Sequence, residues 1–334
     1  MSVTNKRPAV GLKAIAAACN VSINTVSRAL RDCSDISKAT KNRIRSKAIE
    51  MGYVPNRLAA ALKSGNTRMV YLVFNNLKSP YFIIMANRIV FLLQQRGYNA
   101  LIAPNFATAC TKENVQEALL ARTDGILTFL EPTEEAVLIA KLNTMPLVLV
   151  GRRTEFDGID QVYTDDVKGG GLAAEYLIGR GATKLLYVAA NSIECSLRRY
   201  SGFKRVALSH PGVSCNILSE SDLEMNFTNL MEEGYDGIFC FNEQIALIAN
   251  DLLRRVGREG QVPVVGYDGL VEQIARCPRI PCVSYDALAI ADRAFAALMR
   301  RIENYAAAPY ENSVFDVKLI NSDDGERPVL APQS

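Results

Sequence analysis

Two periodicities divide the chain. From Leu12 to Leu30 apolar positions recur at helical spacing, Leu12, Ile15 and Ala16 in one run and Val26, Ala29 and Leu30 in the next. Each run offers one apolar face, and Asn20-Val21-Ser22 supplies the turn between them. Asn tolerates the left-handed conformation that ends a helix, Val21 can plug the angle, and Ser22 can cap the second helix. The spacing predicts a helix-turn-helix whose second helix starts at Ile23. A third helix is expected after the cap Ser37, with Ile44, Ala48 and Met51 on one face and Gly52 as its stop.

Beyond residue 68 the pattern changes to short apolar runs alternating with amphipathic stretches. Strand-like runs are 69–74, 100–104, 125–130, 146–150, 184–190, 216–219, 237–241, 262–267 and 282–285. Helical patterns fall at 81–95, 115–121, 134–142, 171–178, 199–208, 245–256 and 287–302. Such alternation implies parallel sheets with crossover helices, and about 265 residues of it suffice for two subdomains. The stretch 81–95 is apolar nearly all round, as expected of a helix covered both by its own sheet and by a dimer partner.

Charge sharpens the division. Residues 1–68 hold 13 Lys and Arg against 3 Asp and Glu, or +10, while the other 25 basic and 32 acidic residues give −7. A turn-spaced helix pair with a basic surface predicts binding to double-stranded DNA. The outward positions of the second helix are Ile23, Asn24 and Arg28: Ile can meet a thymine methyl, Asn can bond adenine and Arg guanine.

Other classes find little support. No run of roughly 18 apolar residues suggests a membrane span, and Met1-Ser-Val-Thr-Asn-Lys-Arg has no apolar signal region, which points to the cytoplasm. Eight Cys without a C-x-x-C pair read as reduced thiols, with no metal and no cofactor expected. No catalytic residue is assigned: the lone His210 sits in the turn signature Ser-His-Pro-Gly, and no nucleophile elbow or Walker loop occurs. Gly169-Gly170-Gly171 lacks the Lys and Ser/Thr of a phosphate loop and reads as a close packing position. Asp165 and Asp166, taken as extended chain, point to opposite faces and would not converge.

Leu12 to Ala16, Val21-Ser22, Thr25-Val26-Ser27-Arg28, Gly52-Tyr53-Val54-Pro55-Asn56 and Arg57-Leu58-Ala59-Ala60-Ala61-Leu62 together resemble the LacI/GalR family of bacterial transcriptional regulators. Gly11 departs from the usual Thr cap and Asn20 from the usual Gly. The resemblance implies DNA contacts from Ser22, Ile23, Asn24, Thr25, Ser27 and Arg28. It also implies a hinge helix in the minor groove carrying Asn56, Arg57, Ala59 and the wedge Leu62. Read by itself, 56–62 has high helix propensity but is too short to be stable alone, and a flexible linker remains its other reading.

The implied fold is an all-α helix-turn-helix headpiece (1–54) and hinge with linker (55–68) joined to an α/β body (69–328) of the periplasmic-binding-protein type, with a short tail at 329–334. The body comprises two doubly wound parallel-sheet lobes, an N-lobe at about 69–163 plus 288–317 and a C-lobe at about 166–285 plus 320–328. The resemblance places a small-molecule effector between them, contacted by Ser79, Tyr81, Phe82, Arg199, Asn242 and Asp268. Each has an ordinary alternative: an Asp after a strand often caps a turn, an Arg near a helix start often makes a structural ion pair, and an aromatic after Pro is often core. Gly151 stands where the family often has Asp or Asn. Beside it Arg152-Arg153 fits either a sugar acid or sugar phosphate in place of a neutral sugar, or a solvated basic loop.

The expected function is therefore an effector-controlled DNA-binding regulator, a repressor rather than an enzyme, acting as at least a homodimer on a two-fold symmetric operator. Without a Leu heptad near the end, the tetramer-forming tail of some relatives is not expected. A solute-binding or sensory protein on the same body is the alternative.

Overall fold

The computed structural model describes residues 10–54, 66–75, 79–104, 108–190, 193–270, 280–307 and 309–321. The chain divides into two compact units, Met1–Thr67 and Arg68–Ser334. In the first, α1 (Leu12–Cys19) ends at Asn20, whose left-handed φ of 51° turns the chain. Val21 packs into the angle, and the Ser22 side chain accepts from Thr25 N–H to start α2 (Ile23–Leu30). Ser37 does the same for α3 (Lys38–Glu50). Ile15, Ala16, Cys19, Val26, Ala29, Ile44 and Ala48 close a small core.

The second unit contains two six-stranded sheets. The strands are β1 (Met69–Phe74), β2 (Asn99–Pro104), β3 (Ala109–Cys110), β4 (Gly125–Thr128), β5 (Glu131–Pro132), β6 (Leu147–Val150) and β7 (Asp160–Thr164), then β8 (Lys184–Ala189), β9 (Ser214–Ser219), β10 (Gly237–Cys240), β11 (Val264–Asp268), β12 (Cys282–Ser284), β13 (Asn312–Phe315) and β14 (Lys318–Ile320). The N-lobe sheet runs β13-β7-β6-β4-β1-β2 and is parallel throughout. The C-lobe sheet runs β14-β12-β11-β10-β8-β9 and is parallel except for β14. The chain passes between lobes after β7, after β12 and after β13. In each lobe the strand order reverses beside the first strand, between β1 and β4 and between β8 and β10. Loops leave in opposite directions there, and a crevice opens at the carboxyl ends of the strands.

The helices of this unit are α4 (Pro80–Gln95), α5 (Lys112–Leu120), α6 (Glu134–Leu142), α7 (Asp166–Gly179), α8 (Glu194–Ser209), α9 (Glu220–Glu232), α10 (Glu243–Arg255) and α11 (Ala287–Glu303). Among the described residues none is long and apolar enough to cross a membrane. The apolar wrap of α4 is largely used inside its own lobe. Ile89 and Leu93 are buried in the core with β1, and α11 covers another side, where Arg88 grips Asp292 through two hydrogen bonds of 2.6 and 2.9 Å.

Several elements differ from the sequence expectation. Strand β7 lies outside the expected runs because it begins with polar Asp160-Gln161, yet both are buried. Asp160 is neutralised by Arg300 and Arg301 at 2.8 and 2.6 Å, and Gln161 is bonded to both backbone groups of Thr154. Helix α9 is also unexpected, although Leu223, Phe227, Leu230 and Met231 share its buried face. Helices α7 and α8 start at Asp166 and Glu194, well before the expected 171 and 199. Asp165 and Asp166 are thus a cap and a first-turn residue, not extended chain: the Asp165 side chain accepts from Lys168 N–H, while Asp166 turns inward.

Glycine sets the most consequential contact. A Cβ on Gly170 would lie 1.9 Å from the Arg199 carbonyl oxygen, and one on Gly202 would lie 1.9 Å from that of Val167. Backbone therefore meets backbone where α7 crosses α8, which brings the first turn of α7 against the side chain of Arg199.

Candidate functional site

In the head, the outward positions of α2 are open: Ile23 is 48% exposed and Asn24 is exposed. Ser22 and Thr25 are tied to each other, by the N–H cap bond at 3.0 Å and a hydroxyl pair at 2.8 Å. Ser27 is half-buried, and its carbonyl accepts from Arg31 Nε at 3.3 Å. Arg28 is paired with Asp35 at 2.7 Å, a partner that sequence reasoning does not identify. The pair holds the Asp35 carboxyl below the usual carboxylate range. Gly11 stands at the start of α1 with no side-chain cap. Asn56, Arg57, Ala59 and Leu62 lie outside the described residues.

In the body, Ser79, Tyr81, Phe82, Arg199, Asn242 and Asp268 all line one cavity of about 380 Å³ between the lobes. That is within the usual range for a small-molecule pocket. Its floor is made by the two strand-order reversals, with Phe129 after β4 and Phe241 after β10. Their roles differ. Phe82 is mostly core, stacked on Phe74 and edge-on to Phe129. Ser79 precedes α4 without a side-chain cap bond, whereas Asn242 caps α10 by accepting from Ile245 N–H at 2.9 Å. The ordinary reading of a polar residue after a strand therefore applies to Asn242 as well, since one side chain caps a helix and lines the cavity.

Arg199 is the most constrained side chain. It is 5% exposed, its Nε donates to Asp166 at 2.8 Å, its Nη1 donates to the Phe241 carbonyl at 2.5 Å, and Nη2 lies 4.0 Å from Asp268. The guanidinium is also stacked between rings, 3.4 Å from the Tyr267 centroid and 4.5 Å from that of Phe241. Burying such a charge costs several kcal/mol, and these partners offset it. Sequence reasoning does not find Asp166. The available signal is that a buried Arg needs a counter-charge.

Asp268 adopts a left-handed φ of 86°, unusual for a non-glycine residue, and accepts from Tyr285 Oη at 2.9 Å. Burial pushes its carboxyl up to about 6, against the opposing pull of Arg199 and of the Tyr285 hydrogen bond. Arg152, Glu220 and Gln244 also face the cavity. Arg153 instead pairs with Glu155 at 2.8 Å. Cys195 lines the cavity as well, but burial raises its thiol to about 11, so it is a poor nucleophile. Gly151 is not an open gap. Its φ is +74°, and a Cβ there would lie 2.0 Å from Tyr81 Oη, so the phenol occupies the space of the missing side chain. His210 ends α8, with Nδ1 3.0 Å from the Val206 carbonyl oxygen.

Comparison with known proteins accounts for both units. Residues 11–56 match the family described as bacterial regulatory proteins, lacI family. The chain is 25% identical over 325 residues to the HTH-type transcriptional repressor PurR of Vibrio atlanticus, covering 92% of this chain and 95% of the relative. It is 28% identical over 313 residues to the HTH-type transcriptional regulator GntR of Pseudomonas aeruginosa, covering 90% of each. Its fold is that of the lac repressor dimer bound to operator and the anti-inducer ONPF, with a TM-score of 0.80 at 19% identity, over 94% of this chain and 98% of that one. The head thus matches the lacI family of bacterial regulatory proteins over residues 11–56, and the regulators that the chain is similar to run the length of both units.

Proposed function

We propose that this chain is a transcriptional repressor that binds operator DNA as a homodimer and releases or tightens it in response to a small polar effector held between the lobes. The observation that carries this reading is the pairing, in one chain, of a capped helix with exposed Ile23 and Asn24 and a two-lobed body whose cavity holds a pre-oriented arginine. Ile23, Asn24 and Arg28 read bases, Ser22, Thr25 and Ser27 sit at the backbone or frame α2, and Asn56, Arg57, Ala59 and Leu62 are the proposed minor-groove contacts. Ser79, Tyr81, Arg199, Asn242 and Asp268 are the proposed effector contacts, with Phe82 as the apolar wall. The relatives support the reading, since one is named a repressor and the lac repressor structure holds operator and an anti-inducer. The protein is proposed to act in the cytoplasm and to catalyse no reaction.

The mechanism is linkage. A ligand that prefers one arrangement of the lobes shifts the population toward it, and operator affinity changes by the same free energy. The direct test is selection of bound duplexes from a randomised pool by the full chain, followed by gel shift at several salt concentrations. A two-fold symmetric consensus is expected, with binding that weakens steeply as salt rises. Enrichment of no sequence over random duplex would overturn the proposal.

A further inference from the structure

The two walls of the cavity differ in chemistry, and the difference bears on what the effector is. On the N-lobe wall, Gly151 follows β6, and the Tyr81 phenol fills the volume of the side chain that Gly151 lacks. The Gly151 N–H is already committed to the Val162 carbonyl oxygen at 2.7 Å. Tyr81 Oη is buried and has no hydrogen-bond partner among the described residues. Next to it Arg152 is half-buried, lines the cavity, and makes no ion pair among the described residues, unlike its neighbour Arg153. Neither residue 151 nor residue 152 offers a side-chain acceptor there, so this patch presents an unspent guanidinium and an unpaired phenolic O–H. On the C-lobe wall, Asp268, Asn242 and Gln244 mix acceptors and donors.

A sugar hydroxyl both donates and accepts, and it suits the C-lobe wall. An anionic oxygen only accepts, and it suits a wall whose side chains at Arg152 and Tyr81 can donate to it. We infer that the effector is a hydroxylated small anion whose carboxylate or phosphate seats against Arg152 and Tyr81 Oη while its hydroxyls face Asp268 and Asn242. This inference rests on the effector reading above and narrows it. Tyr81 and Arg152 are then specificity-determining residues. With Gly at position 151, the Tyr81 phenol puts a donor on this wall where a side chain at 151 would otherwise stand.

Isothermal titration of the full chain against matched sets tests it: D-glucose, D-gluconate and D-glucose 6-phosphate, and the corresponding neutral sugar, sugar acid and sugar phosphate of galactose and ribose. In at least one set an anionic form should bind at least about tenfold tighter than its neutral parent, as a charge-assisted hydrogen bond supplies. Which anion wins separates carboxylate from phosphate. Arg152→Ala should erase that preference, Arg152→Lys should keep most of it, and Tyr81→Phe should lower anion affinity several-fold, with unliganded thermal midpoints recording whether each variant is folded. A neutral sugar that binds as tightly as its anionic forms overturns the inference and leaves the effector reading standing. So does an anion whose affinity is unchanged in folded Arg152→Ala. Absence of binding by every member of all sets overturns both.

Discussion

The two surfaces proposed to read DNA and ligand hold their arginines in opposite ways. Arg28 in the head is half-buried and tied by one carboxylate, while Arg199 in the body is buried and held by a carboxylate, a carbonyl oxygen and two ring faces. A DNA-reading side chain must adapt to many duplexes and exchange its partner on contact, and weak tethering suits that. A ligand-reading side chain gains from having its conformation fixed before the ligand arrives, because ordering it on binding would cost affinity. The contrast predicts that the counter-ions of these two arginines behave differently on removal.

The largest effect is expected at Asp166. Asp166→Ala leaves the Arg199 guanidinium buried without its principal counter-charge, which should cost about 3–5 kcal/mol of unfolding free energy. Urea denaturation of the isolated variant measures it. Adding Arg199→Met in the same chain should recover much of that loss, because an unpaired buried charge, and not the lost pair, is what destabilises. A cost for Asp166→Ala no greater than that of a surface substitution would erase the distinction drawn between the two arginines.

Asp268 gives an intermediate effect with a defined pH window. Its carboxyl titrates near 6 in the folded protein against 3.8 in the unfolded chain, so the folded state holds its proton longer. Between about pH 4 and pH 6 the folded state therefore binds more protons, and stability from this group falls as pH rises through that window and is flat above it. Asp268→Asn removes the titration, and Asn tolerates the left-handed φ as Asp does. The unliganded variant should exceed the parent in stability at pH 7 by about 2–3 kcal/mol, and the gap should close toward pH 4. Parallel stability curves across that range would mean that Asp268 is not the buried, charge-penalised group described here.

The same contrast explains how much can be read from the chain. The head is legible because its signals are local: Asn20, Ser22 and Ser37 end and start helices within a few residues of the apolar positions they serve. The alternation of runs also makes the doubly wound class legible. Strand β7 is not, because Asp160 is acceptable in a buried strand only with Arg300 and Arg301 beside it, some 140 residues away in sequence. Helix α9 does carry a signal, since Leu223, Phe227 and Leu230 follow helical spacing. For the cavity, the six candidate residues are nameable from a family pattern. The positioning partner Asp166 depends on a glycine crossing, and the filling of the Gly151 space by Tyr81 depends on packing. Neither leaves a trace in local sequence.

The smallest effect on stability is expected at Asp35. Its pair with Arg28 joins two groups that are 49% and 40% exposed, where solvent screens the attraction and holding both side chains in place offsets what remains. Asp35→Ala should leave the thermal midpoint of the protein essentially where it was. Its consequence should appear in DNA binding instead. The carboxylate repels nearby phosphates and competes with base edges for Arg28, so its removal should tighten binding to random duplex and, more strongly, to operator. Gel shifts at matched salt on operator and random duplex measure both. If Arg28 only supported the fold of the head, the variant would lose stability and gain nothing on operator over random DNA. A stable variant with an enlarged ratio of operator to random affinity would show that this arginine is loosely held because it must let go.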